Sequence, residues 1–225
     1  MAALVIFDCD GVLIDSEALC NRVVAAELTA CGWPMTTEDA QRRFIGLTFA
    51  DTQRDAEAYL GRALGDGWVD RVVAAVTAVM AAEATLIPGA HAALRATTAL
   101  GLPWRVASNS SFEEMDAKFR RTGLADLVAG RVHSAHDVIA RGGRGKPAPD
   151  LFLEAAAAEG VDPGLCVVIE DSVAGVLGAM AAGMACLGYS PHGGTALQAA
   201  GAVPFRSMLD LPSLLRARLG PSDDV

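Results

Sequence analysis

Asp8 and Asp10 follow the apolar run Leu4-Val5-Ile6-Phe7 directly and precede Gly11. Two carboxylates this close repel each other unless a cation or a shared proton lies between them. A glycine beside them lets the backbone approach whatever fills that space. One aspartate after a strand is often a plain helix cap, but this pair, followed by Val12-Leu13-Ile14-Asp15-Ser16-Glu17, reads as chemistry. Three further segments have the same character. Ser108-Asn109-Ser110-Ser111 follows Trp104–Ala107, and Ser110-x-x-Glu113 or Ser111-x-x-Glu114 marks a helix start. A hydroxyl there suits a phosphate, and a simple cap explains it equally well. Gly145-Lys146-Pro147-Ala148-Pro149-Asp150 sets one of only two lysines, Lys118 and Lys146, in a proline-stiffened loop. A compact point charge and a solvated side chain are both open readings for it. Glu170-Asp171-Ser172 follows Cys166–Ile169, with Asp171 or Ser172 also able to cap the next helix.

In order, the four segments bring carboxylates from the first and fourth runs, a hydroxyl from the second and a lysine from the third connection. In open parallel sheets, ligands bind beyond the carboxyl ends of the strands. An oxygen-only donor set selects a hard cation, of which Mg²⁺ fits best. His133-x-x-His136 has a spacing that suits a metal, but reads as two ordinary histidines.

Positioning these residues requires a sheet. Short apolar runs at Leu4–Phe7, Trp104–Ala107, Cys166–Ile169 and Ala185–Tyr189, with a weaker one at Leu127–Val132, alternate with helical patterns. That alternation predicts an α/β fold with a Rossmann-like parallel-sheet core, its strands buried on both faces. One interval breaks the rhythm. Residues 16–85 read as helical throughout, with a capping box at Thr36-x-x-Asp39 and an apolar stripe Trp68, Val72, Val76, Val79. This predicts an inserted all-helical cap domain over 16–85 in a core made of 1–15 and 86–225. Ile14–Glu17 and Ala84–Pro88 would be the hinges, and 220–225 a frayed tail.

Composition narrows the function. The chain has 225 residues, with 18 Lys and Arg against 27 Asp and Glu, a formal charge of −9. Excess acid argues against nucleic-acid or anionic-membrane partners. The uncharged stretch Ser172–Phe205 is broken by glycines and Pro191, so it is not a membrane span. The start lacks a basic region, which makes the cytoplasm the expected location. Five cysteines without C-x-x-C are expected to be buried thiols rather than disulfides or zinc ligands.

Jointly, Asp8-Cys9-Asp10-Gly11-Val12 with Asp15-Ser16-Glu17, Ser108-Asn109, Lys146-Pro147-Ala148-Pro149-Asp150 and Glu170-Asp171-Ser172-Val173-Ala174-Gly175 resemble the haloacid dehalogenase superfamily. The likeness is to the subgroup with a helical cap after the first strand, and it covers nearly the whole chain. It implies Asp8 as nucleophile and Asp10 as general acid/base. Asp10, Gly11, Ser108, Asn109 and Lys146 would bind phosphate. Asp8, Asp10, Glu170 and Asp171 would form the metal site. A carboxylate attacking phosphorus splits one hard step into two. Four acids against Mg²⁺ and Lys146 leave the site negative, so Asp10 is expected to be protonated when it meets a phosphate dianion.

Missing residues weigh against related activities. Asp10 is superfluous for dehalogenation, and residues 16–85 contain no lysine for a phosphonate-cleaving Schiff base. Cys20 and Phe49 stand where the subgroup's sugar-phosphate mutases carry His and Arg. Hydrolysis is left. The chain is most similar to phosphatases of small sugar, sugar-acid or polyol phosphates, 6-phosphogluconate among them. The segment 44–49 resembles the substrate-specificity loop at Gly46, and Arg42, Arg43 and Arg54 are cap candidates for a second acidic group, though solvated arginines account for them as well. The mutase, and a non-enzymatic phosphoacceptor switch, are the alternatives. A switch needs about half this length and no cap.

Overall fold

The computed structural model describes residues 3–44 and 47–219. The expected frayed tail, 220–225, and Gly46 of the specificity segment lie outside the described residues. In chain order the elements are β1 (Leu4–Phe7), β2 (Ile14–Asp15), α1 (Glu17–Ala30), α2 (Thr37–Phe44), α3 (Phe49–Leu60), α4 (Trp68–Glu83), β3 (Thr85–Leu86), α5 (Ala90–Ala99), β4 (Trp104–Ser108) and α6 (Phe112–Thr122). They continue with α7 (Ala125–Val128), β5 (Val132–Ser134), α8 (Ala135–Ala140), α9 (Asp150–Glu159), β6 (Cys166–Glu170), α10 (Val173–Ala181), β7 (Ala185–Tyr189), α11 (Thr195–Ala199), β8 (Val203–Phe205) and α12 (Leu211–Leu219).

The fold is α/β with a six-stranded parallel sheet in the order β5-β4-β1-β6-β7-β8. β1 is buried along its length because helices cover both faces, which is why it reads as an unbroken apolar run. On one face, Leu4, Ile6, Cys166 and Val168 pack with Leu151, Phe152, Ala155 and Ala179 from α9 and α10. The alanines keep those helices close to the sheet.

The order places the topological switch at β1. The chain builds β4 and β5 on one side, then β6, β7 and β8 on the other. Register does the rest. Phe7 pairs with Val106 on one side and Ile169 on the other. One residue further along each strand come Asp8, Ala107 and Glu170, so chemistry-bearing side chains leave the sheet at one edge.

The chain divides into two compact units, Met1–Ile14 with Leu86–Val225, and Asp15–Thr85. Between its ends the second has, among the described residues, only helices, α1 to α4, packed around Val24, Leu28, Trp33, Ala40, Phe44, Ala56, Trp68 and Val72. Thr36 and Asp39 form the capping box reciprocally, Asp39 N–H donating to Thr36 Oγ1 at 3.1 Å and Thr36 N–H to Asp39 Oδ2 at 3.3 Å.

Two local readings change. The weak run at Leu127–Val132 is not one strand. Its first residues finish α7, and β5 begins at Val132. β8 is an additional strand, short and at the sheet edge, where Pro204 is tolerated because one side of an edge strand needs no donor. The described cysteines are free thiols; Cys9, Cys166 and Cys186 are buried, and Cys20 and Cys31 half-buried. Burial pushes Cys166 up to about 11 and Cys186 to about 12, so both stay protonated and unreactive.

Candidate active site

The loop after β1 turns sharply. Gly11 N–H donates to Ile14 O at 2.8 Å, and Leu13 and Ile14 N–H both donate to Cys9 O at 2.9 Å. Gly11 has φ +79°, and a Cβ built on it would fall 1.9 Å from Asp171 Oδ2. Only glycine lets this turn lie against the carboxylate arriving from β6. The turn leaves Asp8 buried, with its N–H donating to Ile169 O at 2.9 Å.

Lys146 binds the two sides of the switch together. Its Nζ donates to Asp8 Oδ1 at 2.5 Å, Glu170 Oε1 at 2.6 Å and Ala107 O at 2.9 Å, and lies 5.0 Å from the Phe152 ring centre. All three ammonium protons are used, as a buried cation requires. Asn109 fixes the loop that carries it: Lys146 N–H donates to Asn109 Oδ1 at 3.0 Å and Asn109 Nδ2 to Lys146 O at 3.4 Å. The Lys146-Pro147 peptide is cis.

Glu170 is fully engaged. Besides Lys146, it accepts from the backbone N–H groups of Asp171 and Ser172 at 3.0 and 2.9 Å and from Ser172 Oγ at 2.9 Å. Ser172 caps α10, accepting from Gly175 N–H at 3.0 Å. A Cβ at Gly175 would lie 1.8 Å from Glu170 Oε1, so this glycine makes the room in which the carboxylate sits.

Asp8, Glu170 and Asp171 each offer an oxygen such that the three lie within 4.8 Å of one another. Burial raises Asp8 to about 7, with Lys146 opposing and Glu170 and Asp10 reinforcing. Burial also holds Asp171 well above the usual carboxylate range, reinforced by Asp8 and Glu170. Acids this crowded and this dry call for positive charge beyond one lysine. The donor set is all oxygen, and the Gly11 turn leaves Asp171 uncovered by any Cβ. Both features fit a hard divalent cation.

Asp10 goes elsewhere. Its carboxylate accepts from Lys118 Nζ at 2.7 and 2.9 Å and from Ser110 Oγ at 2.9 Å. It is not one of the three acids that could share an ion among the described residues. Ser111, not Ser110, caps α6, and Glu114 completes the capping box. That leaves the Ser110 hydroxyl for Asp10. Ser108 is buried at the end of β4, where its Oγ accepts from Ser110 N–H at 3.1 Å.

Sequence reasoning named Lys118, Ser110 and Gly175 without giving them a part in the site; Ser110 was read only as a possible helix start. The signal for Lys118 was present: it shares the inward face of α6 with Met115 and Phe119, where a lysine is out of place unless it has a partner. Both ring nitrogens of His133 meet protein partners, Arg105 Nη1 at 3.2 Å and Glu154 Oε1 at 3.1 Å. The cap-candidate arginines pair within their own unit. Arg42 meets Asp39 at 2.5 Å, Arg54 meets Asp51, and Arg43 grips Asp55 at 2.7 and 3.0 Å while lying 4.8 Å over the Trp33 ring.

Acids, a buried lysine and a hydroxyl-bearing turn thus gather at the switch point of a parallel α/β sheet, where such folds bind their ligands. The chain belongs to the haloacid dehalogenase-like hydrolases, whose sequence pattern matches residues 2–183. It is 30% identical over 217 residues to 6-phosphogluconate phosphatase of Escherichia coli strain K12, covering 95% of each chain. Among solved structures, a conserved haloacid dehalogenase-like protein of unknown function from Agrobacterium tumefaciens strain C58 superposes with a TM-score of 0.87 at 34% identity, over 97% of this chain and 100% of that one. A haloacid dehalogenase family hydrolase from Deinococcus radiodurans R1, solved with bound phosphate and sodium, gives 0.78 at 32% identity, over 97% and 95%.

Proposed function

We propose that this phosphoric monoester hydrolase is Mg²⁺-dependent, works through an aspartyl-phosphate on Asp8, and acts on small sugar, sugar-acid or polyol phosphates. The observation that carries the reading is Asp8 itself. It is a buried carboxylate at the switch point, gripped by Lys146 and crowded by Glu170 and Asp171.

In this reading an Asp8 oxygen attacks phosphorus, the bond from phosphorus to the leaving oxygen breaks, and Asp10 gives that oxygen its proton. Asp10 then takes a proton from water. The water oxygen attacks phosphorus, the bond to Asp8 breaks, and inorganic phosphate leaves. Lys146, with Ser108 at the end of β4 and Asn109 just beyond it, serves the phosphoryl oxygens or holds the groups that do. Asp8 and Asp171 would hold Mg²⁺. Glu170, whose oxygens already accept four hydrogen bonds, would supply chiefly charge. The ion supplies countercharge that keeps the acids ionised and polarises the transferring group.

The charge balance differs from the sequence count. Lys118 adds a positive charge beside Asp10, so four acids meet two lysines and one divalent ion. With all four acids ionised the site without substrate is then neutral, and the two negative charges of the phosphate are the excess that favours a proton on Asp10 when substrate binds.

The helical unit 16–85 is proposed as a cap that shields the reaction from water and selects substrate, with Gly46 in its specificity segment. Arg42, Arg43 and Arg54, already satisfied by acids, support the structural reading of those arginines. The sugar-phosphate class is supported by the E. coli relative that acts on 6-phosphogluconate. A phosphate-release assay on p-nitrophenyl phosphate, with and without Mg²⁺, tests the reading. Sustained Mg²⁺-dependent turnover is expected. Labelling that stops at one phosphate per chain would replace the phosphatase with a phosphoacceptor switch.

A further inference from the structure

The acid/base assigned to Asp10 has a dedicated partner outside the motifs that carry the family resemblance. Lys118 projects from the inward face of α6, 5% exposed, and its ammonium bridges both Asp10 oxygens at 2.7 and 2.9 Å and Ser110 Oγ at 3.2 Å. Ser110 Oγ donates to Asp10 Oδ2 at 2.9 Å, and its carbonyl is tied down by Ser134 Oγ at 2.8 Å. Asp10 therefore sits in a three-point clamp built from β4, α6 and β5. Its side chain is 30% exposed, unlike Asp8 at 9%, so it keeps an open side while the clamp fixes its orientation.

A lysine on an apolar helix face loses hydration, and replacing such an ion pair by apolar side chains often costs no stability. An arrangement kept for stability alone does not need it. We propose that Lys118, with Ser110, is a positioning residue that aims the Asp10 carboxylate for proton transfer to the leaving oxygen. This rests on the reading of Asp10 as the general acid.

Loss of aim must show where the acid is needed most. p-Nitrophenyl phosphate releases a stable anion that leaves without a proton. Phenyl phosphate has nearly the same shape but must expel a phenol of pKa about 10. The quantity to compare is kcat/KM, which covers events up to departure of the leaving group. The Lys118→Met variant should lose on the order of a hundredfold on phenyl phosphate, the scale of a misplaced catalytic group, but only a few-fold on p-nitrophenyl phosphate. Ser110→Ala should show the same asymmetry to a smaller degree, and it decides the matter if Lys118→Met does not fold. Equal losses on both substrates, or none, would overturn the positioning role. Asp10→Asn in parallel separates this from failure of the underlying reading. If Asp10→Asn itself shows no asymmetry, the acid assignment falls; if it does and the Lys118 and Ser110 variants do not, only the clamp falls.

Discussion

At the residue scale, the site depends on a few atoms placed where alternatives do not fit. Asp8→Asn should abolish turnover, because an amide cannot form the covalent intermediate. It also removes a charge that burial penalises, so its melting temperature in the absence of divalent ions should stay level or rise. Calorimetry beside the activity assay checks both halves, and a variant that is inactive because it is unfolded would break the first inference. Gly175→Ala has ordinary backbone space, but its methyl would occupy the position of Glu170 Oε1. It should weaken Mg²⁺ activation by tenfold or more, on the order of removing a supporting group around a metal, read from the Mg²⁺ dependence of the rate. The motif residues Asp8, Lys146, Glu170 and Asp171 were legible because each follows an apolar run or sits in a stiffened loop. For Lys118 the inward face of α6 gave a signal, but its partner was not legible, because pairing across 108 residues leaves no local pattern.

At the element scale, strands buried on both faces were the easiest to read. β1 and β7 match their apolar runs residue for residue, and β4 and β6 each extend one residue further. Each added residue, Ser108 and Glu170, is a polar side chain at a carboxyl end. The ladder continues there after hydrophobic patterning stops. β5 and β8 were misread or missed since three residues give too short a pattern, and β8 contains a proline. Helix starts were clearer where side chains reciprocate. Ser111→Ala removes half of the α6 capping box and should cost about 1 kcal/mol. That corresponds to a fall of roughly 2–4 °C for a chain of this size. A shift far larger than this would mean that the α6 start carries more of the site than its cap.

At the scale of the whole molecule, clustered acids couple folding to pH and to the cation. Asp8 is raised to about 7 and Asp171 is raised as well. Below the unfolded carboxylate value near 4, both states hold these protons and the contribution is intact. As pH rises from there through about 7, the unfolded chain has given up its protons while the folded chain holds them on crowded acids, so stability declines across that window. A divalent ion held by these acids would reverse this by binding the ionised form. In thermal melts, Mg²⁺ should therefore raise the melting temperature more at pH 8 than at pH 5; a larger effect at pH 5 would contradict the cluster as a cation site. No helix among the described residues is long and apolar enough to cross a membrane. The architecture was legible from the order of the runs and the long helical interval after the first one, whereas the strand order, which sets the switch at β1, is a property of assembly that linear spacing does not encode. The most direct measurement is to stop the enzyme in acid during steady turnover and weigh its peptides. The covalent intermediate predicts a phosphoryl group on the peptide containing Asp8, and on Asp8 by fragmentation. Rapid turnover with that peptide unmodified at every time point would contradict it.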